Sequence, residues 1–211
     1  MAEIRTDYPV KLSVDYPEKG LNRLTTFFRI FMAIPILIVF SLLFYMNFPK
    51  EASLGFNVYI YTSAYVVFPI VLMLLFRRKY PRWWFDWNVG LVKFAMRIGV
   101  YLLLLRDEYP STDDEQAVHI EIPYPNAGSD LKRWLPLVKW LLAIPHVIVL
   151  CFLGIAALIC VIIAWFAILF TGRYPKGLFD FVVGVERWSL RVSAYCFLLM
   201  TDVYPPFRLG I

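Results

Sequence analysis

The stretch YPKGLFDFVVGVERWSLRVSAY, Tyr174 to Tyr195, restates YPRWWFDWNVGLVKFAMRIGVY, Tyr80 to Tyr101, at a spacing of 94 residues. The shared positions are Tyr80-Pro81, Phe85-Asp86, Gly90, Lys93, Arg97 and Tyr101 against Tyr174-Pro175, Phe179-Asp180, Gly184, Arg187, Arg191 and Tyr195. Working outward, Arg23, Arg29 and Ala33-Ile34-Pro35 return 110 residues on as Arg133, Lys139 and Ala143-Ile144-Pro145. A further one-residue shift sets Asp107-Glu108-Tyr109-Pro110 opposite Thr201-Asp202-Val203-Tyr204-Pro205-Pro206. The change from 110 to 94 reflects a longer polar connection, Asn47 to Ser63, in the first half. Such self-similarity predicts two tandem copies and makes the copy the unit of architecture. Residues 1–110 are the first, 111–117 an acidic linker and 118–211 the second.

With 60% hydrophobic and 18% aromatic residues, the chain is too apolar for an ordinary soluble domain, which points to the bilayer as its solvent. The polar leader with Glu3, Arg5, Asp7, Lys11, Asp15 and Lys19 argues against a cleavable signal peptide. Cys151, Cys160 and Cys196 all lie in apolar segments without metal-site spacing and read as inert thiols. The net charge of +5 is unevenly placed, so it reports topology and lipid contact rather than nucleic-acid binding.

Leu24 to Tyr45 carries one charge, Arg29, and is long enough to cross the ~30 Å hydrocarbon core. Val58 to Phe76 is uncharged and ends on the basic stop Arg77-Arg78-Lys79-Tyr80-Pro81-Arg82. In the second copy Leu135 to Phe170 holds only Lys139 as a charge, which predicts two spans turning near Gly154 before the stop Arg173 to Lys176. With every basic cluster inside, the positive-inside rule predicts a multi-pass inner-membrane protein with both termini cytoplasmic.

Two topologies are open for the segments Trp84 to Leu105 and Leu178 to Met200. If they crossed, the copies would be inverted and Arg173 to Lys176 would lie outside. The preferred reading is an interfacial helix in each copy: Asp, Gly, Lys or Arg, Arg and Tyr recur at intervals of 4, 3, 4 and 4, one polar stripe on an otherwise apolar helix. Trp83, Trp84, Trp87 and Trp134 crowd the basic clusters as membrane anchors. Val10 to Val14 and Val118 to Ile122 alternate apolar and polar residues, which predicts short cytoplasmic strands. The expected fold is thus all-α integral membrane: two repeats, each a transmembrane hairpin plus an interfacial amphipathic helix, with short β-strands.

The candidate site is the stripe present twice, Asp86, Lys93, Arg97 and Tyr101 with Asp180, Arg187, Arg191 and Tyr195. It is either a set of polar contacts between repeats or a holder of anionic lipid headgroups, and both roles are open. Glu186 breaks the symmetry and is expected to neutralise Arg187 or Lys176. His146 reads as a packing histidine bonded to carbonyls freed around Pro145. The chain has no G-x-S-x-G, P-loop, G-x-G-x-x-G or H-E-x-x-H, so no catalytic residue, cofactor or metal is assigned.

Tyr-Pro before the first span, Ala143-Ile144-Pro145 within it, Phe170-Thr171-Gly172-Arg173-Tyr174-Pro175, Phe179 to Val185, Arg187-Trp188 and Thr201 to Phe207 together resemble the bacterial family grouped as domain of unknown function 4389. The second copy, Val118 to Phe207, carries the resemblance, while the first departs from it at Phe76 to Pro81 and at Ser111. The resemblance implies a bacterial membrane protein and leaves its activity open. The expected function is a non-catalytic lipid-engaging scaffold or accessory subunit, with anionic lipids and membrane-protein subunits as partners. The alternative is a small transporter or channel for lipid or small solute, and a lipid-modifying enzyme comes third for want of a nucleophile–base pair.

Overall fold

The computed structural model describes residues 8–44, 69–114, 116–128 and 130–210. The connection Asn47 to Ser63, the first part of the span Val58 to Phe76, Glu115 and the start of the polar leader lie outside the described residues. The elements run β1 Lys11–Val14, α1 Arg23–Phe27, α2 Arg29–Phe44, a π-helical turn Met73–Arg77, α3 Arg82–Leu102, β2 Val118–Glu121, α4 Pro136–Thr171 and α5 Lys176–Cys196. The chain is mostly helical with a small two-stranded sheet, and α4 is long and apolar enough to cross a membrane.

The two strands pair antiparallel, Lys11 opposite Glu121 and Leu12 opposite Ile120. Leu12, Val118 and Ile120 point into the core, while Lys11 and Glu121 face out as an opposite-charge pair across the strands. Under the sheet, Val100, Leu104 and Leu105 meet Phe179, Val182, Val183 and Leu190 of α5 and Ala157, Ala164 and Ile168 of α4.

α3 and α5 are each 21 residues long, and each starts from an extended proline, Pro81 (φ −62°, ψ 131°) or Pro175 (φ −60°, ψ 124°). Proline suits this place because it has no N–H to leave unpaired at a helix start. The segment before each proline turns through a left-handed residue, Arg78 (φ 48°) or Gly172 (φ 74°). The main chain at Gly172 also accepts a 2.8 Å bond from the Leu21 N–H. A Cβ on Gly20, itself at φ 82°, would stand 2.8 Å from that same Gly172 oxygen, so both the conformation and the close approach require glycine. Past the helix ends, Leu104 (φ 62°) and Leu199 (φ 52°) turn the chain back. Leu105 N–H bonds to the carbonyl of Val100, whereas Met200 N–H reaches Ala194, one residue further, so the extra residue of the second half is absorbed in a wider helix end.

One sequence expectation is corrected here. Leu135 to Phe170 does not turn near Gly154; Pro136–Thr171 is a single 36-residue helix, about 54 Å long at 1.5 Å per residue. Gly154 has nothing within 4 Å of a built Cβ, and a lone glycine costs a helix only about 1 kcal/mol, too little to end it without a proline or polar cluster beside it. Pro145 lies inside the same helix without ending it.

α5 returns antiparallel along α4. Their near ends are tied through Gly172 to Pro175, while at the far end Lys139 of α4 lies 4.9 Å from the Tyr195 ring of α5. Ala143 packs there with Trp188, Val192 and Cys196. α1 covers the other end of α4, where Phe27 stacks on Trp165 and the Trp165 indole donates to the Thr26 carbonyl at 3.3 Å.

Candidate functional site

The polar stripe of α5 faces the chain itself. Arg187 donates through Nε to the Leu12 carbonyl of β1 and through Nη1 to the Leu209 carbonyl of the C-terminal tail, both at 2.9 Å. Arg191 is buried, donates to the carbonyls of Arg208 (3.3 Å) and Gly210 (2.8 Å), and lies 5.7 Å from the Tyr8 ring. Gly184 lets the tail lie flat, since a Cβ there would meet Leu209 Cβ at 2.9 Å. Asp180 is exposed. On α3, Arg97 is buried and donates to the Ser111 carbonyl at 2.9 Å, Lys93 is half-buried, and Asp86 is exposed in an i,i+4 pair with Arg82 at 3.7 Å. The two tyrosines of the stripe are buried and serve a different centre.

That centre occurs twice. Arg29, at the start of α2, pairs with Asp107, donates to the Arg106 carbonyl at 2.8 Å and lies 4.3 Å from the Tyr101 ring. Asp107 also accepts the Asn22 N–H at 2.6 Å. Lys139, in the first turn of α4, has the same set: Asp202 at 2.6 Å, the Thr201 carbonyl at 2.7 Å and the Tyr195 ring. Asp202 in turn accepts the Lys132 N–H at 2.5 Å. Tyr109 and Tyr204 close each group edge-on, 5.7 Å from Tyr101 and 5.8 Å from Tyr195. Each buried cation thus holds a carboxylate, a carbonyl and an aromatic face, the satisfaction that burial of a charge demands.

This centre escaped the sequence reading. Asp107 is read as part of the closing motif of the first copy, with no partner assigned, yet it is the partner of Arg29. The available signal was that Arg29 and Lys139, single charges in apolar stretches, each need a counter-ion, and that Asp107 and Asp202 recur at matching places.

His146 is fully buried on α4, and its partner is not a carbonyl freed by Pro145. The Trp188 indole N–H donates to His146 Nδ1 at 3.1 Å and the Phe207 ring stacks on the imidazole at 3.9 Å. The neutral ring therefore carries its proton on Nε2, which has no hydrogen-bond partner among the described residues. The carbonyl that Pro145 frees is that of Leu141, which lies on the exposed side of α4 away from the buried His146, whereas Trp188 of α5 packs against the ring. Glu186 is half-buried and pairs with neither Arg187 nor Lys176 among the described residues; burial raises its carboxyl above the usual range.

Trp83, Trp87 and Trp134 are exposed, and Trp84 is half-buried between its neighbours. A cavity of about 210 Å³ opens between the sheet and α5, beside Lys11, His119, Glu121, Arg187 and Arg191. No group of three or more His, Cys, Asp or Glu that could hold a metal ion occurs among the described residues.

These features define a class: a mostly helical protein whose longest helix is apolar enough for a membrane, with buried charges that are all internally paired or bonded to backbone. Residues 133–208, from the start of α4 into the tail, match the family described as "Domain of unknown function (DUF4389)", in one copy. No curated protein and no solved structure matches the chain.

Proposed function

We propose that this chain is a non-catalytic membrane-embedded protein, a lipid-engaging scaffold or accessory subunit of a larger membrane complex. It is anchored at the cytoplasmic membrane with both termini on the cytoplasmic side. The observation that carries the reading is the surface of α4: between Lys139 and Arg173 there is no Asp, Glu, Lys or Arg, yet Ile148, Phe152, Ile155, Ile159, Phe166 and Phe170 are exposed. So much uncovered apolar surface on one helix needs lipid or another apolar partner.

We read the chain as two tandem copies that brace each other. Tyr16 of the first half donates to the Tyr174 carbonyl at 2.5 Å and Tyr124 of the second half to the Tyr80 carbonyl. Their rings meet Phe179 and Phe85 edge-on at 5.1 Å and 5.0 Å. The twin cation centres support the same reading. For the polar stripe, internal structural contact is favoured over headgroup binding, because Arg97, Arg187 and Arg191 donate to backbone carbonyls, of which that of Leu12, taken by Arg187, lies in the other copy. Lipid headgroups then fall to the clusters Arg77 to Arg82 with Trp83, Trp84 and Trp87, Lys132-Arg133 with Trp134, and Arg173 to Lys176.

The test is flotation of the purified chain with vesicles of phosphatidylcholine and phosphatidylglycerol, followed by a solute-flux assay on the loaded vesicles. Co-flotation without flux is expected. A chain that stays monodisperse in buffer without detergent or lipid removes the proposal, and flux lost on Arg97→Ala and Arg191→Ala replaces it with a carrier.

A further inference from the structure

The membrane reading leaves open how α4 meets the bilayer, and we infer that α4 lies along one leaflet, in the membrane plane, instead of crossing. The proposal rests on the membrane reading above and names the surface that the lipid contacts.

The two sides of α4 differ in what they touch. Lys139, Ala143, His146, Ala157, Ala164 and Ile168 form a buried line, at intervals of three, four and their sums, against α5 and α1. Leu141, Ile148, Phe152, Ile155, Ile159 and Ile162 line the opposite side with the same period and are exposed. α2 repeats the division, with Arg29, Ala33 and Ile36 buried and Phe31, Ile38 and Leu42 exposed. Flanking residues such as Trp140, Val147 and Leu158 of α4 and Ile30 and Leu43 of α2 are exposed as well, so the protein covers one narrow line of each helix and the apolar surface around the rest is left for acyl chains.

Length argues against a crossing. The uncharged part of α4, Trp140 to Thr171, is 32 residues, about 48 Å, longer than the ~30 Å core and longer than the about 40–45 Å that includes the headgroup layers. Packing argues more strongly. Neighbouring residues of α5 reach both ways: Trp188 to His146 of α4 and Arg187 to the Leu12 carbonyl of β1. A crossing α4 would hold His146 six residues inside its uncharged run, about 9 Å deep. It would carry the sheet in with it. A two-stranded sheet has open edges, and unpaired backbone groups are not tolerated against lipid. Laid flat, α4 faces the acyl chains while α5 and the sheet rise into the headgroups and water. Both its ends, Lys132-Arg133-Trp134 and Phe170 to Arg173, then sit at the same interface, where arginine and aromatic residues are favoured.

The unmodified chain is first floated with phosphatidylglycerol-containing vesicles, then studied by polarised infrared spectroscopy on supported bilayers of the same lipids. The amide I dichroism is expected to place the mean helix axis closer to the membrane plane than to the normal. In parallel, Lys132→Cys and Arg173→Cys, in a chain whose three native cysteines are alanine, are treated with a membrane-impermeant maleimide in right-side-out and in inverted membrane vesicles. Both cysteines are expected to react in the inverted preparation only. Reaction from opposite sides, or dichroism along the normal, overturns the in-plane placement and leaves the membrane reading standing; failure to float removes both. The infrared measurement needs no substitution, so a variant that fails to fold does not spare the proposal.

Discussion

Lys139 has no solvent exposure, so its ammonium depends wholly on Asp202, the Thr201 carbonyl and the Tyr195 ring. Removing the carboxylate leaves a bare buried charge. Asp202→Ala is expected to cost about 3–5 kcal/mol in denaturant unfolding in detergent, the range for breaking a buried pair. Asp107 is more exposed than Asp202, 29% against 12%, so Asp107→Ala should cost less. The double substitution Lys139→Met, Asp202→Leu should recover most of the loss, because desolvation of both ions is relieved together. Glu186 makes a prediction of opposite sign. Burial raises its pKa, so its folded form binds the proton more tightly, and stability falls as pH rises from the unfolded value through the folded one. Glu186→Gln should therefore raise the melting temperature at pH 7 and leave it unchanged once both states are protonated. Equal gains across that range would assign the effect to packing rather than to charge.

At the scale of elements, matching glycines on α3 and α5 separate local propensity from packing. A Cβ at Gly90 meets nothing within 4 Å, while at Gly184 it runs into Leu209. Gly90→Ala should stabilise by about 0.5–1 kcal/mol through helix propensity. Gly184→Ala should destabilise by lifting the tail from Arg187 and Arg191, measurable as faster proteolysis of the C-terminus. Gly154→Ala has the same open surroundings as Gly90, and on an unbroken α4 it should stabilise by about 1 kcal/mol; a loss would restore a turn there. The contrast bears on what was legible. Both strands and the extents of α3 and α5 follow from period and from the Tyr-Pro signals at Tyr80 and Tyr174. The continuity of α4 does not, because comparing its length with the bilayer presupposes a crossing. The recurring stripe was visible residue by residue, but its targets, the Leu12, Ser111 and Leu209 carbonyls, are backbone atoms that leave no mark in a side-chain pattern. The His146–Trp188 bond joins positions 42 apart on two helices, and no local signal announces it.

For the molecule as a whole, the core is reached from both halves, and Tyr16 and Tyr124 carry the exchange. Each hydroxyl crosses to a carbonyl at the entrance of the other half's amphipathic helix, so each half is held at the residue just before its Pro175 or Pro81. Tyr→Phe keeps the edge-on contact with Phe179 or Phe85 and removes one hydrogen bond, worth about 0.5–1.5 kcal/mol. The loss should be slightly greater where the carbonyl is left dry. The Tyr174 and Tyr80 rings beside these carbonyls are themselves buried, which places both substitutions toward the upper end. If the halves fold as one cooperative unit, Tyr16→Phe and Tyr124→Phe should lower a single unfolding transition by similar amounts, and the double variant by roughly their sum. If the halves are merely adjacent, either change should split the transition, with one half melting early while the other keeps its original midpoint. Calorimetry of the three variants in the same detergent distinguishes the two outcomes. A split would mean that the sheet, to which each half lends one strand, is too weak a joint to couple them without the tyrosines.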